Sequence, residues 1–81
     1  MSMENDKNTV LIVEKLWQEM QFWHLKKGDL YIAGDLLTGD WKVFVRKSRK
    51  EREVVLFRTK DELKAKVIYS LLSKKIPPQA P

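Results

Sequence analysis

From Val10 onward, apolar residues return every three or four positions. Val10, Val13, Trp17 and Met20 form one stripe, and Ile12, Leu16 and Trp23 widen it. That period is helical. Asn8 or Thr9 can cap the start, Lys26 and Lys27 suit the negative end of the dipole, and Gly28 can take the left-handed closing position. The spacing predicts a helix from about residue 9 to about residue 27. The period then changes to two. Leu30 to Leu37 forms a strand with Gly34-Asp35 as a bulge, Thr38-Gly39-Asp40 forms a hairpin loop, and Trp41, Val43 and Val45 alternate with Lys42, Phe44 and Arg46. Val54 to Phe57 supplies a third strand. Thr59-Lys60-Asp61-Glu62 has the form of a capping box, in which Thr59 accepts from the Glu62 N–H. Behind it Leu63, Val67, Leu71 and Lys74 mark one helical row, with Ile68 and Leu72 beside it, and Pro77-Pro78 stops the helix.

The order helix, three strands, helix predicts an α+β fold. It is a two-layer αβββα arrangement in which a three-stranded antiparallel sheet packs against two helices. With 81 residues there is room for a single domain, residues 1–81, with flexible tails at 1–8 and 77–81. Trp41, Val43 and Val45 are the more apolar side of the second strand, so they belong on the buried face. Lys42, Phe44 and Arg46 then share the open face.

Charge changes the picture most at the second hairpin. The formal net charge is +5, and Arg46-Lys47-Ser48-Arg49-Lys50-Glu51-Arg52 holds five cations and one anion, so +4 of it sits in seven residues. Guanidinium forks and ammonium charges at a hairpin tip suit phosphates, whose neutralisation releases counterions. Lys42 and Arg58 extend that charge along the strands. The candidate nucleic-acid-binding set is therefore Lys42, Arg46, Lys47, Arg49, Lys50, Arg52 and Arg58, with Phe44 and Tyr31 as aromatic groups able either to stack on bases and pack on sugars or to fill the core against the helices. The first helix is rich in aromatics, and Trp17, Phe22, Trp23 and Leu25 are a candidate partner or dimer surface.

Other chemistries find little to build on. There is no Cys, and His24 is the lone histidine. A metal site, a cofactor and a nucleophilic triad therefore have no residue set, and Gly28, Gly34 and Gly39 are too scattered to cradle a phosphate. The chain is expected not to be an enzyme. Its unbroken apolar runs are only a few residues long, against the roughly 20 that span a bilayer, and no leader pattern follows Met1. The expectation is a cytoplasmic protein with no membrane partner.

Three resemblances extend this reading. Gly39-Asp40-Trp41-Lys42-Val43-Phe44-Val45-Arg46-Lys47 with Phe57-Arg58-Thr59-Lys60-Asp61-Glu62-Leu63 resembles the arm-type DNA-binding domains of tyrosine recombinases and the related AP2 domains. That resemblance implies a sheet lying in the major groove, with Lys42, Arg46 and Arg58 toward DNA. The whole helix–three strands–helix order is similar to the double-stranded RNA-binding domain, which places lysines at the start of its second helix, where Lys60, Lys64 and Lys66 stand. Gly28-Asp29-Leu30-Tyr31-Ile32-Ala33 followed by Val43-Phe44-Val45-Arg46-Lys47 resembles metal-dependent nucleases of the restriction-endonuclease and Holliday-junction-resolvase type. There Asp29 and Lys47 match the Asp and Lys of the metal site, while the Glu position holds Val45, which implies a binding relic without the chemistry.

The expected function is that of a small nucleic-acid-binding protein, with duplex DNA favoured over RNA, gripping phosphates through the basic hairpin loop. Two alternatives stand beside it. One is a protein-interaction module or inhibitor, such as a virus- or plasmid-borne one, that uses the aromatic helix, with a homodimer as one form. The other is a catalytically degenerate nuclease-like fold.

Overall fold

The computed structural model describes residues 7–77. Helix α1 (Lys7–Met20) is followed by strands β1 (Leu30–Gly34), β2 (Trp41–Val45) and β3 (Val54–Thr59) and by helix α2 (Glu62–Lys75). The sheet is antiparallel with β2 in the centre. This is the α+β order that the hydrophobic pattern predicts. The tails expected at 1–8 and 77–81 lie outside the described residues except for Pro77 and for Lys7 and Asn8, which are helical.

Helix α2 is the hub. It lies across all three strands, and α1 packs along it. Ala65, Ile68 and Leu72 are fully buried on that helix, and they join Val13 and Met20 of α1 and Leu30, Val43 and Val45 of the sheet in the core. Ile76, just past the last turn, closes the cluster at 1% exposure. Lys74 and Lys75 occupy the last turn, where cations suit the dipole. The start of α2 differs from the expected capping box. Asp61 is the cap, its carboxylate accepting from the Lys64 N–H at 3.2 Å, while the Thr59 hydroxyl accepts from the Asp61 N–H at 3.0 Å. Thr59 is not free to cap because it still belongs to β3, opposite Trp41.

Helix α1 is shorter than its stripe suggests. After Met20 the chain tightens into a 3₁₀ turn at Gln21–Trp23, and His24 takes the left-handed conformation, φ 55° and ψ 48°. His24, not Gly28, closes the helix; histidine is among the few non-glycine residues that tolerate this region. The reversal lets Trp23 and Leu25 fold back onto the core. Lys26 and Lys27 therefore lie past the helix, beside a second 3₁₀ turn at Lys27–Asp29 in which the Asp29 carboxylate accepts from the Lys26 N–H at 3.0 Å. At the other end Asn8 and Thr9 lie inside α1 rather than capping it, and the Thr9 hydroxyl is buried without a hydrogen-bond partner.

Register settles the faces of the sheet. Leu30 pairs with Val45, Ile32 with Val43 and Gly34 with Trp41, so these residues share the core face. Gly34 is no bulge. It stands opposite Trp41, whose indole lies so close that a Cβ built at Gly34 would come within 2.9 Å of Cε2. The irregularity is in β3: Val43 pairs with Phe57 and Phe44 with Val55, leaving Leu56 as the extra residue. A bulge turns two successive side chains to one side, and both Leu56 and Phe57 pack against the core. Strand β1 ends at Gly34, so Leu36 and Leu37, expected in the strand, belong to the loop that follows.

Candidate nucleic-acid interface

The face away from the helices carries the other half of each alternation. Tyr31 pairs with Phe44 across β1 and β2, and their rings stack with centroids 5.3 Å apart and an interplanar angle of 14°. The Lys42 ammonium lies 4.9 Å from the centre of the Phe44 ring. Cation and ring attract through the ring quadrupole, and this arrangement fixes the aromatic in place. Tyr31 remains 44% exposed.

Lys42 and Arg58 stand directly opposite each other on β2 and β3. Like charges in that position repel. The repulsion is offset by Glu53, whose carboxylate forms an ion pair with Lys42. Sequence reasoning missed Glu53, because its relation to Lys42 appears only once the β2–β3 register is known. Lys42 and Arg58 also line a depression of about 510 Å³ under the loop that joins β1 to β2.

At the other end of the face, Arg46 extends the β1–β2 ladder by donating its backbone N–H to the Asp29 carbonyl at 2.9 Å. Its guanidinium turns into the loop, donating from Nε to the Ser48 carbonyl at 3.2 Å and from Nη2 to the Arg49 carbonyl at 2.8 Å. With the Glu51 N–H donating to the Ser48 carbonyl at 3.2 Å, these bonds shape the basic loop. Arg46 is thus both a loop tie and a cation with donors to spare. Arg46, Lys47 and Arg49 join Tyr31 and Phe44 around a second depression of about 510 Å³. Lys47, Arg49, Lys50 and Arg52 are all exposed, and among the described residues none of these four, nor Arg58, forms an ion pair with a carboxylate.

The predicted residues therefore divide. Arg46, Lys47 and Arg49 meet the aromatic pair, Lys42 and Arg58 sit along the same face, and Lys50 and Arg52 project from the loop without lining that depression. Of the aromatic helix set, Phe22, Trp23 and Leu25 come together around a separate depression, and Trp17 packs against the core. Of the positions matched to nuclease ligands, Val45 is in the core and Asp29 ties a turn, and among the described residues no group of three His, Cys, Asp or Glu side chains converges. No helix among the described residues is long and apolar enough to cross a membrane.

The carboxyl of Asp35, at the base of the β1–β2 loop, is held below the ordinary carboxylate range. The Leu37 N–H is the main cause and the Thr38 N–H the next, both hydrogen-bonded to it. No family model matches the chain, and neither a curated protein nor a solved structure matches it.

Proposed function

We propose that this protein binds duplex nucleic acid, DNA in preference to RNA, by gripping phosphates with the 46–52 loop while the open face of the sheet packs against the sugar edge. One observation carries the reading: the stacked Tyr31–Phe44 pair and the cations Arg46, Lys47 and Arg49 border a single depression on the face the helices leave uncovered. A cationic rim around an aromatic floor suits a polyanion whose charges flank apolar rings.

The way the rings are used supports duplex over single strand. Phe44 already carries Tyr31 and the Lys42 ammonium. A ring already engaged by two neighbours favours packing on sugars over stacking of a splayed base. With the Arg46 guanidinium committed to the loop carbonyls, the other five cations of the set, Lys47, Arg49, Lys50, Arg52 and Arg58, which form no ion pair among the described residues, would each neutralise a phosphate. At about 0.9 log units per phosphate in B-form DNA, that sets a salt slope of about −4.5.

The test is the triple change of Arg49, Lys50 and Arg52 to Ala. All three side chains are exposed, so the fold should persist. Two of those five phosphate contacts remain, and the slope should fall to about −1.8 with weaker binding at every salt concentration. An unchanged affinity and slope would remove the loop from the interface.

A further inference from the structure

The β1–β2 loop is built to hold two leucines in solvent. Leu36 and Leu37 are 102% and 97% exposed, the most exposed large apolar residues described. A mobile tip could fold them away, yet this loop is tied at every step. The Asp35 carboxylate accepts from the Leu37 N–H at 2.8 Å, the Gly39 N–H donates to the Asp35 carbonyl and the Asp35 N–H to the Asp40 carbonyl, both at 2.8 Å. The Thr38 hydroxyl accepts from the Asp40 N–H at 3.2 Å, and Gly39 supplies the left-handed turn at φ 76°. The result is a rigid apolar plug with a carboxylate on either side, Asp35 and Asp40.

At the far end of the sheet is a depression of about 370 Å³ with an apolar floor of Phe22, Trp23, Leu25 and Val54. Phe22 is 73% exposed there. Its rim carries Arg46, Lys47 and Arg52 against the single acid Glu51. The plug and the depression are complementary in apolar character and in net charge: Asp35 and Asp40 beside the tip outnumber Arg58, Lys42 being paired with Glu53, while three cations around the depression outnumber Glu51. They cannot meet within one chain. The plug leaves β1 and β2 at Gly34 and Trp41, whereas the depression includes Val45 at the other end of β2, about 13 Å away along the strand.

The geometry points to head-to-tail self-association, in which the Leu36-Leu37 tip of one copy seats in the Phe22–Trp23–Leu25–Val54 depression of the next. Such a contact is heterologous: each copy uses one surface to give and a different one to receive. It therefore produces rings or open filaments rather than a twofold dimer. Its apolar surfaces are ones the nucleic-acid reading leaves unused, its basic rim of Arg46, Lys47 and Arg52 is shared with that reading, and its test contains no nucleic acid.

Sedimentation of the full chain over a concentration series, micromolar to millimolar, should show growth beyond a dimer that weakens as salt is raised. Two variants separate the halves of the contact. The tip variant combines Leu36→Ser and Leu37→Ser, and the pocket variant combines Phe22→Ser and Arg52→Glu; all four side chains are exposed. Each alone should lose association by roughly tenfold or more in midpoint concentration. Mixed, they should form a one-to-one heterodimer and stop there, because the tip variant keeps a pocket and the pocket variant keeps a tip. Arg52→Glu alone, on the exposed loop, should give a smaller loss in the same direction. A wild-type chain that stays monomeric throughout, a tip variant that associates like wild type, or a mixture that forms no heterodimer overturns the contact. A monomer that instead sediments with anionic phospholipid vesicles through Leu36 and Leu37 would assign the tip to a lipid surface and overturn it as well.

Discussion

Changing Glu53 to Gln should weaken the fold slightly and strengthen binding. Glu53 neutralises Lys42 on the open face, and the pair is partly exposed, with side-chain exposures of 29% for Lys42 and 38% for Glu53. Exposed pairs of this kind stabilise by about 0.2–1 kcal/mol, so denaturant unfolding should report a loss within that range. The effect on a polyanion runs the other way. With its carboxylate partner gone, Lys42 becomes one more cation free to meet a phosphate beside the aromatic pair. One more phosphate contact steepens the salt slope by about 0.9 and, near 0.1 M salt, raises affinity by up to about 8-fold. Anisotropy titration of a labelled duplex across a salt series reads both quantities. Glu14→Gln is the control. It removes an acid of the same charge, but one paired with Lys75 where the two helices meet, away from the sheet face. It should leave the slope unchanged. If Glu53→Gln lowers affinity, or if the two variants change the slope equally, the open face is not where phosphates sit.

Other outcomes follow from packing and titration. Gly34→Ala should cost about 1–3 kcal/mol in denaturant unfolding, because the new Cβ would meet the Trp41 ring at 2.9 Å; an unchanged midpoint would show that the ring moves freely. Thr9→Val should stabilise by about 1 kcal/mol by replacing a buried, unpartnered hydroxyl with a methyl of the same shape, and a loss would mean that hydroxyl is satisfied in solution. The Asp35 carboxyl is lowered in the folded loop, so the order it confers is fully present above the ordinary carboxylate value and is lost as pH falls through the lowered one. The Leu37 and Thr38 amide resonances should therefore shift together below the ordinary range. A midpoint within that range would contradict the hydrogen bonds drawn to Asp35.

The features visible along the chain were those reported by a single element. Strand β2 shows its face directly, since period two places Val43 and Val45 on one side and Lys42 and Phe44 on the other. Helix α2 shows its rows and its terminal lysines in the same way. Ends and pairings were hidden because they depend on partners. The apolar spacing of α1 runs on through Trp23, but packing of Trp23 and Leu25 on the core draws the chain round at His24. Leu36 and Leu37 have the composition of a strand, yet the Asp35 side chain takes over the backbone donors that a strand would use. Leu56 and Phe57 are both apolar, so alternation cannot show which of them is extra. The Lys42–Glu53 pair spans a hairpin and needs the register. At the candidate site, the cations were legible as a run of charge, and the Tyr31–Phe44 stack only as two aromatics that alternation could place on one face.

The central claim is that the open face and the 46–52 loop hold a duplex through phosphates. It is tested most directly by titrating the protein against labelled duplex DNA, duplex RNA and single strands over a range of salt. The account predicts tightest binding to duplex DNA, with log affinity falling linearly in log salt at a slope of about −4.5. Absence of binding to any of them at low salt, or an affinity that salt does not change, would contradict it and leave the basic loop a solvated hairpin tip.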